Sequence, residues 1–130
     1  MSEIPPVLED ELLARFIKQR NHIRGDKTVK PNAFIPYPWP NLSVTRHAGL
    51  EDREIWELGQ QVADAQSAAL YGRADVEVRV FTAQSLTIAP TLTPRNHANI
   101  TGWPPEKPLQ KIIAQEIAAE AKFVGVPDDN

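Results

Sequence analysis

The chain has 130 residues, of which 42% are hydrophobic and 24% charged, and it contains no cysteine. This composition is that of an ordinary globular domain, and the absence of cysteine excludes disulfides, Cys-based zinc sites and thiol catalysis. The net charge of −3 argues against general nucleic-acid binding. No apolar run approaches the ~20 residues of a membrane span, and the first residues lack the pattern of a secretory signal. We therefore expect a cytoplasmic protein.

The length predicts a single domain over residues 1–130, with flexible ends at 1–7 and 123–130. Residues 8–18 fit either a helix or a strand, and we favour a short helical turn followed by a strand. Further strands are predicted at 42–46, 76–81 and 85–89, with a shorter candidate at 98–101. In the second of these, Val76, Val78 and Val80 alternate with larger or charged residues, which predicts one apolar face.

Two helices are predicted from apolar residues at three- and four-residue spacing. The first covers residues 51–70, with acidic residues in its first turn and Gly72 beyond its end. The second covers residues 107–122 and places Leu109, Ile112, Ile113, Ile117 and Ala121 on one face. Together the elements predict an α+β domain in which both helices cover one face of a small antiparallel or mixed sheet.

Positive charge is concentrated in one part of the chain. Residues 14–50 contain seven Lys and Arg residues and one acid, Asp26, and therefore carry +6 on a chain whose total is −3. Such a segment can attract an anionic ligand, although it can equally be a solvated basic face that balances acidic neighbours.

Each of the three histidines lies in a polar segment beside an apolar, strand-like run. We predict His97 and His22 as catalytic candidates, because histidine can act as acid or base near neutral pH. Arg24 lies two residues after His22, so both side chains face the same side if the segment is extended. The predicted ligand-binding residues, which would share one concave surface with these histidines, are Arg24, Lys30, Arg46 and Trp103.

Other chemistry has weaker support in the sequence. A zinc site formed by His22, His47 and His97 is disfavoured, because metal ligands usually come in pairs at short spacing on one element. We predict no metal and no cofactor. Trp39 and Trp103 lie in proline-containing loops, where they would form a ligand wall, a partner surface or covers over the ends of the core.

Five segments resemble a family of small bacterial proteins for which no activity is known. The resemblance covers about residues 12–122 and implies a stand-alone bacterial domain without implying an activity. The segments that carry it are Ala14-Arg15-Phe16-Ile17, His22-Ile23-Arg24, Val29-Lys30-Pro31-Asn32-Ala33-Phe34, Leu42-Ser43-Val44-Thr45-Arg46 and His97-Ala98-Asn99-Ile100-Thr101-Gly102-Trp103-Pro104.

Three functions remain open at this stage. The first is a binding module that takes a nucleotide, RNA or an acidic protein partner through its basic half. The second is a small enzyme acting on a nucleotide or RNA phosphate, with His22 and His97 as acid and base. The third is a structural subunit of an operon-encoded complex. The enzyme requires the two histidines to share a cleft, whereas the module predicts a flat basic or aromatic patch and no cleft.

Overall fold

The structure, a computed structural model, describes residues 4–127. The strands are β1 (Leu12–Ile17), β2 (Leu42–Arg46), β3 (Gly72–Glu77), β4 (Thr87–Pro90), β5 (His97–Thr101) and β6 (Lys122–Gly125). The helices are α1 (Asp52–Ala65), α2 (Val78–Thr82) and α3 (Lys107–Glu120), and 3₁₀ turns lie at Arg20–His22 and Pro31–Phe34. The strands form one sheet in the order β4-β5-β2-β1-β3-β6, and all neighbouring pairs are antiparallel. The predicted α+β class is confirmed. Within residues 4–127, no helix is long and apolar enough to cross a bilayer.

The main core lies between one face of the sheet and α3. The second 3₁₀ turn packs into the same core, since its Phe34 is completely buried. Alternate residues of the strands point to this face, because side chains alternate across a strand with period two. The fully or almost fully buried members of this core are Leu13, Ile17, Val29, Phe34, Leu42, Val44, Val76, Val78, Phe81, Ile100, Ala114 and Ile117.

The two long helices lie on opposite faces of the sheet. Ala14 and Phe16 alternate with the core residues of β1, and they pack with Ile55 of α1 in a separate buried cluster. The expectation that both helices cover one face is therefore wrong. The reason is that β1 is apolar on both of its faces, so each face requires its own cover.

Several predicted boundaries change in the structure. The strand predicted at 76–81 ends at Glu77, and the residues that follow form α2, in which Val78 and Phe81 are buried at helical spacing. The first long helix ends at Ala65 rather than at residue 70. The predicted C-terminal flexible end begins instead with β6, which pairs with β3. Residues 1–3 and 128–130 of the predicted ends lie outside the described part of the chain.

The buried stripe of α3 also differs from the predicted one. Gln110, Ala114 and Ile117 are buried, whereas Leu109 and Ile112 are 47% and 58% exposed. Apolar residues occur on more than one side of this helix, and spacing alone does not show which side packs. A polar residue, Gln110, occupies the first buried position because its amide connects two loops, as described below.

A buried ionic network fastens α1 to the sheet. Arg73 and Asp75 of β3 are 5% and 7% exposed, and the Arg73 Nε lies 3.0 Å from the Asp75 Oδ1. The Arg73 Nη2 donates to Asp52 at 2.7 Å, and its guanidinium carbon lies 4.7 Å from the centre of the Trp56 ring. His47 contacts the Asp75 carboxylate at 3.0 Å. The first turn of α1 is thereby held by β3.

We expect Asp75→Asn to lower the free energy of unfolding by at least about 2 kcal/mol, because it leaves a buried guanidinium only partly paired. Urea denaturation measures the change. The matched control is Glu77→Gln, which breaks the exposed ion pair with Arg79 and should cost less than about 1 kcal/mol. Equal losses in the two variants would contradict a stabilising role for the network.

Candidate functional site

A gap opens in the middle of the sheet, where β1 and β2 stop pairing. These strands pair only at Leu13–Arg46 and Ala14–Thr45, although both continue further. Arg15 bridges the gap: its Nε donates to the Ala33 carbonyl at 2.8 Å and its Nη1 donates to the Ser43 carbonyl at 2.9 Å. Backbone carbonyls carry no net charge, so these bonds fix the guanidinium without neutralising it.

The gap widens into a cleft of about 670 Å³. Its lining includes five basic side chains, which are Arg15, Lys18, Lys107 and the histidines His22 and His97. Among the described residues that line it, none is Asp or Glu. Across residues 4–127, none of the ion pairs includes Arg15, Lys18 or Lys107. The cleft therefore concentrates positive charge with no carboxylate to balance it.

The pKa values of the cleft residues reflect this environment. Burial lowers the pKa of Arg15 to about 10. Burial, and then the nearby charge of Arg15, lowers the pKa of Lys18 to about 8. The pKa of His22 is lowered by burial and further by the positive charges of Arg15, Lys30 and Lys18. These basic groups disfavour one another's charged forms, and a bound anion would remove that penalty.

Two exposed aromatic residues form another part of the cleft wall. Tyr37 and Trp39 lie in the proline-rich loop before β2 and are 53% and 71% exposed. The loop is attached to α3, because the Tyr37 backbone N–H donates to the buried Gln110 side chain at 3.1 Å. The Gln110 amide nitrogen in turn donates to the Pro104 carbonyl at 2.8 Å. One polar residue of α3 thus holds an aromatic loop beside a basic cleft.

His97 lies at the start of β5, opposite Thr45 of β2, and lines the cleft. Its Nδ1 lies 2.8 Å from the Thr91 hydroxyl, and that hydroxyl donates to the Thr93 carbonyl at 3.1 Å. The same hydroxyl lies 3.4 Å from the His97 carbonyl. When the hydroxyl donates to either carbonyl it accepts from Nδ1–H, which is the tautomer in which Nε2 is unprotonated. Burial lowers the pKa of His97, which favours this neutral form.

A second, smaller pocket of about 300 Å³ adjoins the cleft on the α1 side. The residues that line both spaces are Ser43, Thr45, Val62, Gln66 and His97. The remaining wall of the small pocket is mostly apolar and includes Leu58 and Ala65 of α1. His97 therefore stands between a basic compartment and an apolar one.

The two histidines that the sequence singled out, His22 and His97, are 75 positions apart in the chain, and both are lining residues of the cleft. Lys30 is not a lining residue, but it lies close enough to His22 to lower its pKa. The Lys30 backbone N–H also donates to the His22 carbonyl at 2.8 Å, so the two residues are adjacent in a short hairpin.

Three other predicted site residues lie away from the cleft. Arg46 is 2% exposed and its guanidinium binds the Glu11 carboxylate at 2.6 and 2.7 Å. It is not a lining residue of the cleft, because its guanidinium is held by Glu11 and by the Pro5 and Pro6 carbonyls. Arg24 bonds to Thr28 and Val29 within its own hairpin. Trp103 donates its Nε1–H to the Ile100 carbonyl at 3.0 Å and packs on the main core.

Sequence reasoning missed most of the residues that surround the two histidines. Arg15 and Lys18 were counted within the basic segment, but nothing near them marks a site. The available signal was that Lys18 directly follows β1, since functional residues often lie on loops positioned by a rigid scaffold. Lys107 lies near the opposite end of the chain, where the local sequence predicts only the start of a helix. No local pattern therefore connects Lys107 to the cleft.

Comparison of the chain with protein-family models, with curated proteins and with solved structures found no match. Within the described residues, no group of three or more His, Cys, Asp and Glu side chains could hold a metal ion. The function of the cleft is therefore inferred from its own geometry and charge.

We expect Lys18→Met to raise the pKa of His22, because the substitution removes a neighbouring positive charge while keeping a side chain of similar length. The pKa of His97 should not change, since burial alone lowers it. NMR titration of the imidazole protons measures both values. Lys111→Met, an exposed position on α3 outside the cleft, is the matched control. An unchanged or lower pKa of His22 would contradict the electrostatic coupling.

Proposed function

We propose that the protein binds a nucleotide unit, either free or within a single strand of RNA, in the cleft between β1 and β2. Lys18, Arg15 and His22 bind the phosphate. Trp39 stacks on the base, with Tyr37 beside it. A basic groove with adjacent aromatic residues is the usual arrangement for binding unpaired nucleotides.

The observation that supports this proposal most strongly is the unbalanced positive charge of the cleft. On a chain with a net charge of −3, basic side chains usually find acidic partners, as Arg46 and Arg73 do. Those in the cleft have none among the described residues and weaken one another's charged forms. A bound phosphate would offset this repulsion. Relief of the repulsion that exists in the free protein therefore stabilises the complex.

The shape of the site favours a nucleotide over an acidic protein partner. The basic groups lie in a concave cleft, whose volume falls within the range of about 300–1,000 Å³ typical of small-ligand sites. A docking surface for a folded protein would instead be broad and flat. The alternatives are binding of an acidic protein and a structural role in a complex. We also propose that the protein is bacterial and cytoplasmic.

We expect Lys18→Gln to weaken the binding of adenosine monophosphate and of a single-stranded DNA oligonucleotide about 10-fold or more, because a charge-assisted phosphate contact is lost. Calorimetric titration measures the affinities. For the oligonucleotide, the slope of log affinity against log salt should also fall by somewhat less than one. Lys111→Gln removes the same charge outside the cleft and should leave both quantities nearly unchanged. Equal effects of the two variants would contradict the proposed site.

The role of Trp39 has a separate test. We expect Trp39→Ala to weaken nucleotide binding about 5- to 100-fold, because stacking of a base on an aromatic ring contributes about 1–3 kcal/mol. Trp39→Phe should retain most of the affinity, since a smaller ring still stacks. Inorganic phosphate should bind equally to the wild type and to both variants. If Trp39→Ala changes only phosphate binding, or neither ligand, the base is not recognised at this position.

A further inference from the structure

We propose that the cleft cleaves single-stranded RNA by transphosphorylation, with His97 as the general base and His22 as the general acid. This inference rests on the proposed function, because the reaction requires an RNA phosphate in the cleft. It also extends that function, since binding a nucleotide requires neither histidine to transfer a proton.

The reaction needs one proton acceptor, one proton donor and positive charge near the phosphorus. The His97 Nε2 removes the proton of a ribose 2′-hydroxyl, and the 2′-oxygen forms a bond to the adjacent phosphorus. The bond from phosphorus to the 5′-oxygen breaks, and His22 donates a proton to that leaving oxygen. The products are a 2′,3′-cyclic phosphate and a 5′-hydroxyl. Protons and electrons balance, and no oxidant or reductant is involved.

The surroundings of His97 suit a base. Its Nδ1 is occupied by the Thr91 hydroxyl at 2.8 Å, so Nε2 is the nitrogen that remains for the substrate. Burial keeps the ring neutral, and a neutral ring can accept a proton at pH 7. The opposite strand contributes Thr45, and the residue after α1 is Gln66, neither of which carries a charge. Arg95, which lines the small pocket, is paired with Glu54 at 3.2 Å.

The surroundings of His22 suit an acid once the substrate is bound. In the free protein, Arg15, Lys18 and Lys30 disfavour its protonated form. A phosphate held by these same residues would offset their charge and raise the pKa of His22. The substrate thus converts His22 into its proton-donating form, whereas the proton state of His97 does not depend on these charges. Two histidines in different environments thereby acquire opposite roles, which is how paired groups divide acid and base chemistry.

Two cations line the cleft in which the phosphate would bind. Arg15 is held by the Ser43 carbonyl of β2 and by the Ala33 carbonyl of the second 3₁₀ turn, so its guanidinium is fixed before the substrate arrives. Lys18 lines the same cleft. A preorganised cation stabilises the extra negative charge on the phosphoryl oxygens without the cost of reorganisation.

The experiment measures cleavage of a labelled, mixed-sequence RNA oligonucleotide by the purified full chain in buffer containing EDTA. We expect a 2′,3′-cyclic phosphate product, identified by mass spectrometry, and no cleavage of the same sequence as DNA or as 2′-O-methyl RNA. His97→Ala and His22→Ala should each lower the rate about 10²- to 10⁴-fold. His47→Gln, which changes the histidine outside the cleft, should keep the rate, with thermal unfolding measured for every variant.

Because His97→Ala also removes the contact to Thr91, His97→Asn serves as a second variant that keeps an amide donor there but has no base. It should fold and be equally inactive. Binding of the 2′-O-methyl oligonucleotide distinguishes the two proposals. If that RNA analogue binds in the cleft but RNA is not cleaved, the catalytic inference fails and the binding function stands. If it does not bind, the binding function fails. Cleavage of DNA, dependence on a divalent ion, or full activity of His97→Asn would also overturn the catalytic inference.

Discussion

The candidate site depends on one interruption in the sheet, the point at which β1 and β2 stop pairing after two residue pairs. A continuous sheet would have filled this space with backbone hydrogen bonds and left no cleft. Arg15 of β1 takes over part of their role, since its guanidinium donates to the Ser43 carbonyl of β2 and to the Ala33 carbonyl of the second 3₁₀ turn. The side chain that stabilises the opening therefore also supplies its positive charge, so the fold and the site share one residue.

Buried arginines outside the cleft have acidic partners, whereas the basic side chains that line the cleft do not. Arg46 binds Glu11 and Arg73 binds Asp75, and all four side chains are at most 8% exposed. These pairs satisfy the requirement that a buried charge has a partner. In the cleft, the basic side chains have no acidic partner among the described residues, and the pKa values of Lys18 and His22 are lowered. An anionic ligand would supply the missing negative charge, which is why we connect the cleft with phosphate.

The same cleft gives the two histidines different chemistry. The pKa of His22 depends on the surrounding cations, and hence on any anion that neutralises them. The pKa of His97 is lowered by burial, and its Nδ1 contacts the Thr91 hydroxyl. Aromatic residues beside them allow a base to be held near the phosphate that the cations bind. Binding and cleavage would then use one set of residues, and a 2′-hydroxyl in the ligand would decide whether reaction follows binding.

The sequence by itself determined the α+β class, the β2 strand at Leu42–Arg46 and the start of α3 at Lys107, because these depend on local alternation, helical spacing and proline positions. It also predicted His22 and His97 as candidates, because histidine in a polar loop has a limited set of roles. Only the tertiary structure decided that α1 and α3 cover opposite faces and that Arg46 is paired with Glu11 outside the cleft. It alone brought Lys107 and Tyr37 to the residues of β1. The physical reason is that strand pairing and its interruption are set by contacts between residues far apart in the chain, and no local pattern records them.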